Sequence, residues 1–575
     1  MKEATPDQPG ATDQAPDTPD AAHQRPDAPH QAQDEPSAPQ PVSEKPGTPT
    51  RTPEKAVTQT PEETAPQTAE ETAPQTAEET APQTAEETAA QREEAAAQAA
   101  EEAAAQSPEE SGLEESAAKT AATVLTRAVR AAGQHRWFVG LFAAGAILRL
   151  LAMLGFRPAL WFPDSYTYIV TVFRPRPDLV RPAGYSIFLK LLEPFHSFAA
   201  VAAVQHLMGL AVAVMIYLAA RRARPWIRTL ATVPVLLDAY QIELEHLLVS
   251  DTLFMFLVTA AVVLAIRDRM TWRTATAIGL LLAAATLTRT IGQPLVVLLA
   301  CWFLIRRRLA LTGVLLAAAL VPVMAYMGWF YATYDRAGLV GANGVFLYAR
   351  AQSFADCQKM DPPPDLRVLC DPRPPDRRPP SQEYVWSQDT PLVRLPGITF
   401  SRANDALAGR FALLAIRSQP LDYAASIASE LARTFTWGRP VYPDQEIYDY
   451  YEFPSREPDP PGRHAAQLGA ELAERYEGGP IATRVVEPYA GWLRAYQDVA
   501  RLPGTALLLV LLVPPALSVI RRRPELEWLV PWSTAVALLV VPAAVAEFDY
   551  RYVLPAVPLA CLALALRSRS DLPKQ

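Results

Sequence analysis

An aspartate among aromatic residues, Asp164, is the first candidate for chemistry in this chain. A run from Arg181 to Tyr185, which contains a Pro-Ala-Gly turn, follows it. Aromatic side chains collect at membrane surfaces, where a carboxylate is partly removed from water. A carboxylate in that setting can act as a general base for a hydroxyl, and a solvated loop residue is the alternative interpretation. The aromatic neighbours are Trp161, Phe162, Tyr166 and Tyr168.

A second acidic group could hold a divalent cation. Its members are Glu243, Glu245, His246 and Asp251. Carboxylates are ligands for such ions, but Glu243 and Glu245 are two residues apart and project from different faces of a helix. The spacing therefore counts against a metal site, although a divalent cation stays open as a cofactor. Asp251 lies deeper in its helix and is predicted to line the substrate cavity.

The charge of the chain divides into an acidic and a basic region. Residues 1–120 carry 26 acidic and 7 basic side chains, whereas the whole chain carries 61 and 53. The net charge is therefore −19 before residue 121 and +11 after it. The overall charge of −8 averages an acidic tail and a basic body.

The acidic region, residues 1–120, is predicted to be a disordered cytoplasmic tail. To about residue 90 it is rich in Pro, Glu, Thr and Gln and nearly free of aromatic residues. Such a segment cannot bury enough apolar surface to offset about 1–2 kcal/mol of backbone entropy per residue. An octapeptide that begins at Glu62 recurs at Glu70 and Glu78, and its proline prevents a continuous helix. A weak amphipathic pattern at 113–130 predicts a helix on the inner membrane surface.

Ten apolar segments predict an all-α polytopic membrane protein. A helix that crosses a bilayer needs about 20 apolar residues, and the segments near 226–240, 274–288 and 291–305 fall short of that length. The ten segments are 137–154, 198–220, 226–240, 247–266, 274–288, 291–305, 309–330, 503–520, 527–546 and 551–566.

Arginines between these segments set the predicted orientation. Because basic loops face the cytoplasm, both termini are expected on the cytoplasmic side of the plasma membrane of a bacterium. The arginine clusters lie at 221–228, 267–273, 306–308, 521–523 and 567–569, in alternate loops. The stretches placed outside are the Asp164 region, 241–246, the loop 331–502 and 547–550.

The long outer loop, residues 331–502, is predicted to form a domain of its own. It separates an N-terminal membrane region, 121–330, from a C-terminal membrane region with a short cytoplasmic end, 503–575. The centre of the loop, 401–436, has helical periodicity, which is interrupted at residues 419–420 by a Gln-Pro step.

The cysteines divide by environment. Cys301 and Cys561 lie in apolar runs, where a cysteine acts as a small buried hydrophobe. Cys357 and Cys370 lie in the outer loop, where thiols oxidise, and are predicted to form a disulfide.

Short motifs together resemble membrane glycosyltransferases of the GT-C type. This class includes protein mannosyltransferases, the lipid A aminoarabinose transferase and bacterial Rgt-like enzymes. The resemblance covers roughly residues 137–567 in layout. The motifs are Asp164 after the first segment, Arg181-Pro182-Ala183-Gly184-Tyr185, Thr288-Arg289-Thr290 and the run from Tyr550-Arg551-Tyr552 to Pro558.

The resemblance implies an enzyme that takes a sugar from a polyprenyl-phosphate donor. The acceptor would be a hydroxyl of an extracytoplasmic glycan, lipid or protein, attacking with inversion, and Asp164 would be its base. Many relatives carry two neighbouring acidic residues at this point, whereas this chain has Asp164-Ser165. That difference counts against a metal role there, so no metal ligand is assigned.

Arginine suits the donor phosphate, because its planar guanidinium makes paired hydrogen bonds to phosphate oxygens. Other roles stay open: Arg181 could reach for the interface, and Arg551 could pair with Asp549 or Glu547. Arg149, inside the first segment, is expected to face the bundle interior, since charge in a membrane is costly. The residues predicted to bind substrate are Arg181, Tyr185, Asp251, Arg289, Arg551 and Tyr552.

Two other functions fit the same features. A transporter or flippase of lipid-linked sugars would also need outward arginines, but the sequence shows no repeated halves of the kind that transporters often have. A non-catalytic membrane scaffold would depend on the tail, so deleting residues 1–120 would abolish its function and spare a transferase. Membrane lipids are expected partners, and nucleic acid is not.

Overall fold

Helices form nearly all the regular structure in the part of the chain described here. The computed structural model describes residues 135–456, 464–521 and 526–568, together with Ala96 and Gln98. Apart from those two residues, the predicted tail and its repeats lie outside the described residues, as do the helix at 113–130 and the arginine side chains at 521–523.

The helices of the N-terminal membrane region are joined by short connections. They are α1 (Arg136–Gly155), α2 (Pro163–Phe173), α3 (Gly184–Leu192), α4 (Phe198–Ala219), α5 (Pro225–Leu237), α6 (Ala239–His246), α7 (Asp251–Ala265), α8 (Trp272–Thr288), α9 (Gly292–Ile305) and α10 (Leu309–Tyr334), with a 3₁₀ turn at Glu193–Phe195.

In the described part of the chain, shorter helices fill the long loop, and four more helices follow it. These are α11 (Asn343–Ala351), α12 (Cys357–Met360), α13 (Pro364–Arg367), α14 (Glu383–Trp386), α15 (Arg402–Ser418), α16 (Pro420–Thr434), α17 (Gln445–Asp449), α18 (His464–Glu477), α19 (Tyr489–Gln497), α20 (Gly504–Arg521), α21 (Leu529–Val545), α22 (Tyr550–Val553) and α23 (Val557–Arg567), with 3₁₀ turns at Pro375–Arg377 and Leu554–Ala556. Two short strands, β1 (Phe156–Arg157) and β2 (Arg484–Val485), pair antiparallel.

Each of the ten predicted segments falls on a helix, which confirms the all-α class. Among the described residues, four helical stretches are long and apolar enough to cross a bilayer: Arg136–Gly155, Phe198–Ala219, Leu309–Tyr334 and Tyr550–Arg567. The crossing of the other six segments, and the orientation of the chain, stay predictions.

Two of the predicted segments have different bounds in the structure. The segment 226–240 ends at Leu237, because the side chain of Asp238 accepts hydrogen bonds from the backbone of residues 240 and 241 and begins a new helix, α6. The stretch predicted as the short turn 241–246 is therefore helical. The segment 247–266 begins only at Asp251, because Leu248 donates its backbone N–H to Leu160 at 3.0 Å.

The glycine of the Arg181–Tyr185 run allows two helices to meet. A Cβ on Gly184 would lie 2.4 Å from the carbonyl oxygen of Leu287, so only glycine fits between the start of α3 and the end of α8. This contact brings the loop that carries Arg181 next to the turn that carries Arg289. The main core of the bundle lies farther inside, among residues of α4, α7, α8, α9, α21 and α23.

The long loop has a hydrophobic core of its own. Tyr348, Phe411 and Tyr384 are buried in it, and α15 and α16 separate at Gln419, which confirms the predicted break. A disulfide joins Cys357 to Cys370 beside this core.

Replacing both Cys357 and Cys370 by serine is expected to lower the stability of this loop domain by about 3 kcal/mol, the loop-closure entropy of a short cross-linked segment. Thermal unfolding of the purified protein measures the change. Cys301→Ser is the matched control, because Cys301 is free and, contrary to the buried position predicted from its apolar run, exposed. Equal unfolding temperatures for the double variant and the control would contradict a structural role for the bond.

Candidate functional site

Asp164 is fixed by the local sequence at the start of α2. Pro163 occupies the first helical position, where its missing N–H costs nothing. The Ser165 hydroxyl accepts from the backbone N–H of Phe162 at 3.0 Å and donates to the carbonyl oxygen of Leu248 at 2.8 Å. The turn is therefore held from both sides, and the Asp164 side chain is only 13% exposed.

Two arginines bind the Asp164 carboxylate. Arg181 contacts Oδ1 through Nη2, and Arg551 contacts Oδ2 through Nη1 at 3.2 Å. Arg181 comes from the loop before α3, and Arg551 comes from α22 at the far end of the chain. Each carboxylate oxygen thus has its own cationic partner.

The paired arginines determine the ionisation of Asp164. Burial by itself would raise the pKa of the carboxyl, but the guanidinium groups of Arg181 and Arg551 outweigh it and hold the pKa well below its usual range. Asp164 is therefore ionised at neutral pH, and in this arrangement it is a weak base.

The aromatic neighbours of Asp164 pack into the protein. Trp161 is 7% exposed, stacks on Tyr166 at 5.0 Å and donates its indole N–H to the carbonyl oxygen of Ile481. Phe162 contacts the ring of Tyr450 at 5.2 Å. The long loop covers Trp161 and Phe162, so these side chains are buried in the protein. Their position relative to the membrane surface stays a prediction.

A second carboxylate belongs to the same site. Asp549 caps α22 and accepts from Nε of Arg551 at 2.9 Å. The Arg551 guanidinium also lies over the ring of Phe162, 4.5 Å from its centre. Asp549 entered the sequence interpretation only as an alternative partner that would leave Arg551 without a role, and the structure shows it holding Arg551 against Asp164.

A second ion pair lies next to the first. Arg289 contacts Asp251, which is fully buried, and its guanidinium lies 4.8 Å from the ring centre of Tyr552. The Arg551 guanidinium lies 5.3 Å from the same ring. Tyr552 therefore connects the two pairs, and the site balances three aspartates against three arginines.

Tyr185 is the predicted site residue with the plainest packing role. It is fully buried, donates its hydroxyl to Oε1 of Gln205 at 2.7 Å, and meets the Tyr168 ring edge-on at 4.8 Å. It supports α2 from below the Asp164 turn.

The residues of the second acidic group differ in their partners. Glu245 pairs with Arg149 at 2.7 Å, and both side chains are buried between helices, which is the inward-facing position expected for Arg149. His246 lies 3.0 Å from His206. Glu243 has no hydrogen-bond partner among the described residues, and burial raises its pKa well above its usual value. Within residues that the structure describes, no cluster of three or more acidic, histidine or cysteine side chains could hold a metal ion.

Glu547 joins the segment that carries Arg551 to the long loop. Its carboxyl accepts from the backbone N–H groups of Ser381 at 3.1 Å and Gln382 at 3.0 Å, and it lies 3.0 Å from the hydroxyl of Tyr442. The same hydroxyl lies 3.1 Å from Glu430. From the sequence, Glu547 was a possible partner of Arg551. In the structure it binds the backbone of the long loop instead.

The stability of Glu547→Gln relative to the unmodified protein is expected to rise by up to about 3 kcal/mol between pH 4.5 and pH 7. Burial raises the pKa of Glu547 from 4.5 to about 7. When the pKa of a carboxyl is higher in the folded protein than in the unfolded one, the free energy of unfolding falls as pH rises between the two pKa values and is constant above them. Glutamine does not titrate, so the variant has no such fall. Unfolding temperatures of both proteins at several pH values measure the effect, and parallel curves would contradict it.

Comparison with known proteins returns two solved membrane proteins. One is the oligosaccharyltransferase of Archaeoglobus fulgidus tethered to an acceptor peptide, with a TM-score of 0.37 and 10% identity over 75% of this chain and 49% of that one. The other is ArnT from Cupriavidus metallidurans bound to undecaprenyl phosphate, with a TM-score of 0.28 and 14% identity over 74% and 77%. Both are GT-C proteins.

The present chain spans about half the length of that oligosaccharyltransferase. No protein-family model and no curated protein matches the sequence. Because both TM-scores are below 0.5, the function is argued from the geometry of the site.

Proposed function

We propose that this chain is a membrane glycosyltransferase that moves a sugar from a polyprenyl-phosphate donor to an acceptor hydroxyl outside the plasma membrane, with inversion. The observation that carries the proposal is the placement of Asp164 between Arg181 and Arg551. The carboxylate can accept a proton, and the two guanidinium groups that contact it can bind a phosphate, so both functions lie in one place.

The reaction is a single displacement. The acceptor oxygen forms a bond to the anomeric carbon as the bond from that carbon to the phosphate oxygen breaks. The electron pair leaves on the polyprenyl phosphate, and the hydroxyl proton moves to Asp164. Arg551 and Arg289 stabilise the negative charge that develops on the phosphate, with Arg181 beside them.

The donor itself activates the base in this proposal. The three arginines of the site already have carboxylate partners, so a donor phosphate must compete with Asp164 for Arg181 and Arg551. As the guanidinium groups turn to the phosphate, the pKa of Asp164 rises and the carboxylate becomes a stronger proton acceptor. Without donor, Asp164 therefore stays a weak base.

Transfer assays test the proposal. Membranes that contain the protein are supplied with a panel of polyprenyl-phosphate sugars labelled in the sugar, and labelled acceptor product is measured. Product that depends on Asp164 supports the proposal, and nuclear magnetic resonance of its anomeric carbon tests inversion. Movement of an intact donor across a proteoliposome bilayer, without any product, would support a flippase instead.

A further inference from the structure

A cavity separate from the Asp164 site lies where the long loop meets the last helices. It is partly open to solvent. Asp164, Arg181, Arg289 and Arg551 do not line it. Its polar wall carries Arg433, Arg439, Arg501 and Asp238, and its apolar wall includes Leu507 and Val557 from α20 and α23.

The charged residues that line this cavity differ in their partners. Asp238 is occupied, since its carboxylate accepts from the backbone N–H groups of Tyr240, Gln241 and Leu502. Arg439 is neutralised by Glu452 at 2.8 Å. Two arginines remain with hydrogen-bond donors available for a ligand, although one of them, Arg433, also forms an ion pair with Glu430.

Arg501 and Arg433 are these two groups. In the described part of the chain, no hydrogen bond or ion pair to Arg501 is found, although it lines the cavity. The Nε of Arg433 is buried without a hydrogen-bond partner, 3.7 Å from Glu430, while the guanidinium lies over the ring of Tyr442 at 4.0 Å. A buried donor without a partner is destabilising, and an anionic ligand would provide the missing partner.

The surroundings of the cavity are apolar on the surface. Trp437, on its rim, is 71% exposed, and Val441 is 50% exposed. On α20, which begins at the cavity, Leu509 and Leu512 are 63% and 54% exposed. Exposed apolar side chains on a predicted spanning helix face lipid tails, and an exposed tryptophan at its end is typical of the headgroup level.

We infer that this cavity binds the phosphate of a membrane lipid through Arg433 and Arg501, with the lipid tails lying along α20. A lipid-borne phosphate is favoured over free phosphate because the cationic groups and the lipid-facing surface adjoin each other. The site is distinct from the proposed transfer site, and its existence does not depend on the transferase activity.

Native mass spectrometry of delipidated protein in detergent tests this inference, with dioleoyl phosphatidylglycerol as the probe and polyprenyl phosphate as a second probe. Arg501→Gln and Arg433→Gln are each expected to weaken phosphatidylglycerol binding by about tenfold. Arg394→Gln, at an arginine of the long loop whose side chain is 63% exposed, is expected to leave it unchanged. Because Arg501 has no bonded partner in the described residues, its loss should not unfold the protein, and the unfolding temperature checks this.

Unchanged phosphatidylglycerol binding in both variants would overturn the inference. Full competition by inorganic phosphate would overturn the lipid part of it. Binding of polyprenyl phosphate that falls in Arg501→Gln supports the same site with that lipid as its occupant. Transfer activity that survives in Arg501→Gln while lipid binding falls shows that the two sites are separate.

Discussion

In Asp164→Asn, sugar transfer is expected to fall by about 10²–10⁴-fold, the usual contribution of a general base. Asparagine has the shape of the carboxylate and keeps one oxygen for one of the two arginines, but its NH2 group faces the other arginine and the amide does not take up the acceptor proton. Initial rates of transfer measure the loss, with correct insertion and an unfolding temperature as checks of folding. Asp422→Asn is the control, because Asp422 lies on the long loop, half exposed, and pairs with Lys359.

Near-normal turnover in Asp164→Asn would contradict the base assignment. It would leave Asp164 as a residue that positions Arg181 and Arg551, and the proton would need another acceptor. Both controls of folding are needed, since two buried arginines lose part of their neutralising charge in this variant.

Arg551→Gln is expected to reduce transfer by about 10²–10³-fold, since a donor that faces the developing phosphate charge is removed. The variant also frees one oxygen of Asp164, so the pKa of that carboxyl should rise. If the deprotonated carboxylate is required, the acid limb of the transfer-rate profile should move to higher pH. A lysine at this position should restore little, because it lacks the fork that contacts Asp164 and Asp549 together.

A purely structural role for Arg551 makes a different prediction. It would lower the unfolding temperature and the amount of folded protein without moving the pH profile of the molecules that remain active. Arg410→Gln is the matched control, because Arg410 also pairs with an aspartate, Asp365, but lies half exposed on the long loop.

The positions of the helices follow from the sequence to within a few residues. Apolar length and helical periodicity are local properties, so α1, α4 and α10 could be placed from the chain alone. The bounds failed at Asp238, where an apolar run of residues hides a helix cap. A single polar residue in such a run gives a weak signal, and only its hydrogen bonds to Tyr240 and Gln241 show the break.

The sequence predicts which residues belong to the candidate site, but not which of them contact each other. Asp164, Arg181 and Arg551 were each picked from short motifs, yet Arg551 meets Asp164 across 387 positions of the chain. No local pattern encodes such a contact, because it depends on how the helices pack. The same reason explains why the sequence did not predict the contact of Trp161, whose indole N–H reaches a carbonyl group 320 positions away.

The structure also changes the mechanism that the sequence suggested. A partly desolvated aspartate alone would have a raised pKa and would be a ready base. The two arginines reverse that expectation. Donor binding and base activation are thereby coupled, because one set of guanidinium groups serves both the phosphate and Asp164.

The most direct test of this coupling compares the affinity of polyprenyl phosphate for the unmodified protein and for Asp164→Asn. The phosphate competes with Asp164 for Arg181 and Arg551, so removing the carboxylate charge should tighten binding by about tenfold, or about 1.4 kcal/mol. Asp422→Asn should bind as the unmodified protein does. Weaker binding of polyprenyl phosphate to Asp164→Asn, in a protein that still unfolds cooperatively, would contradict the account.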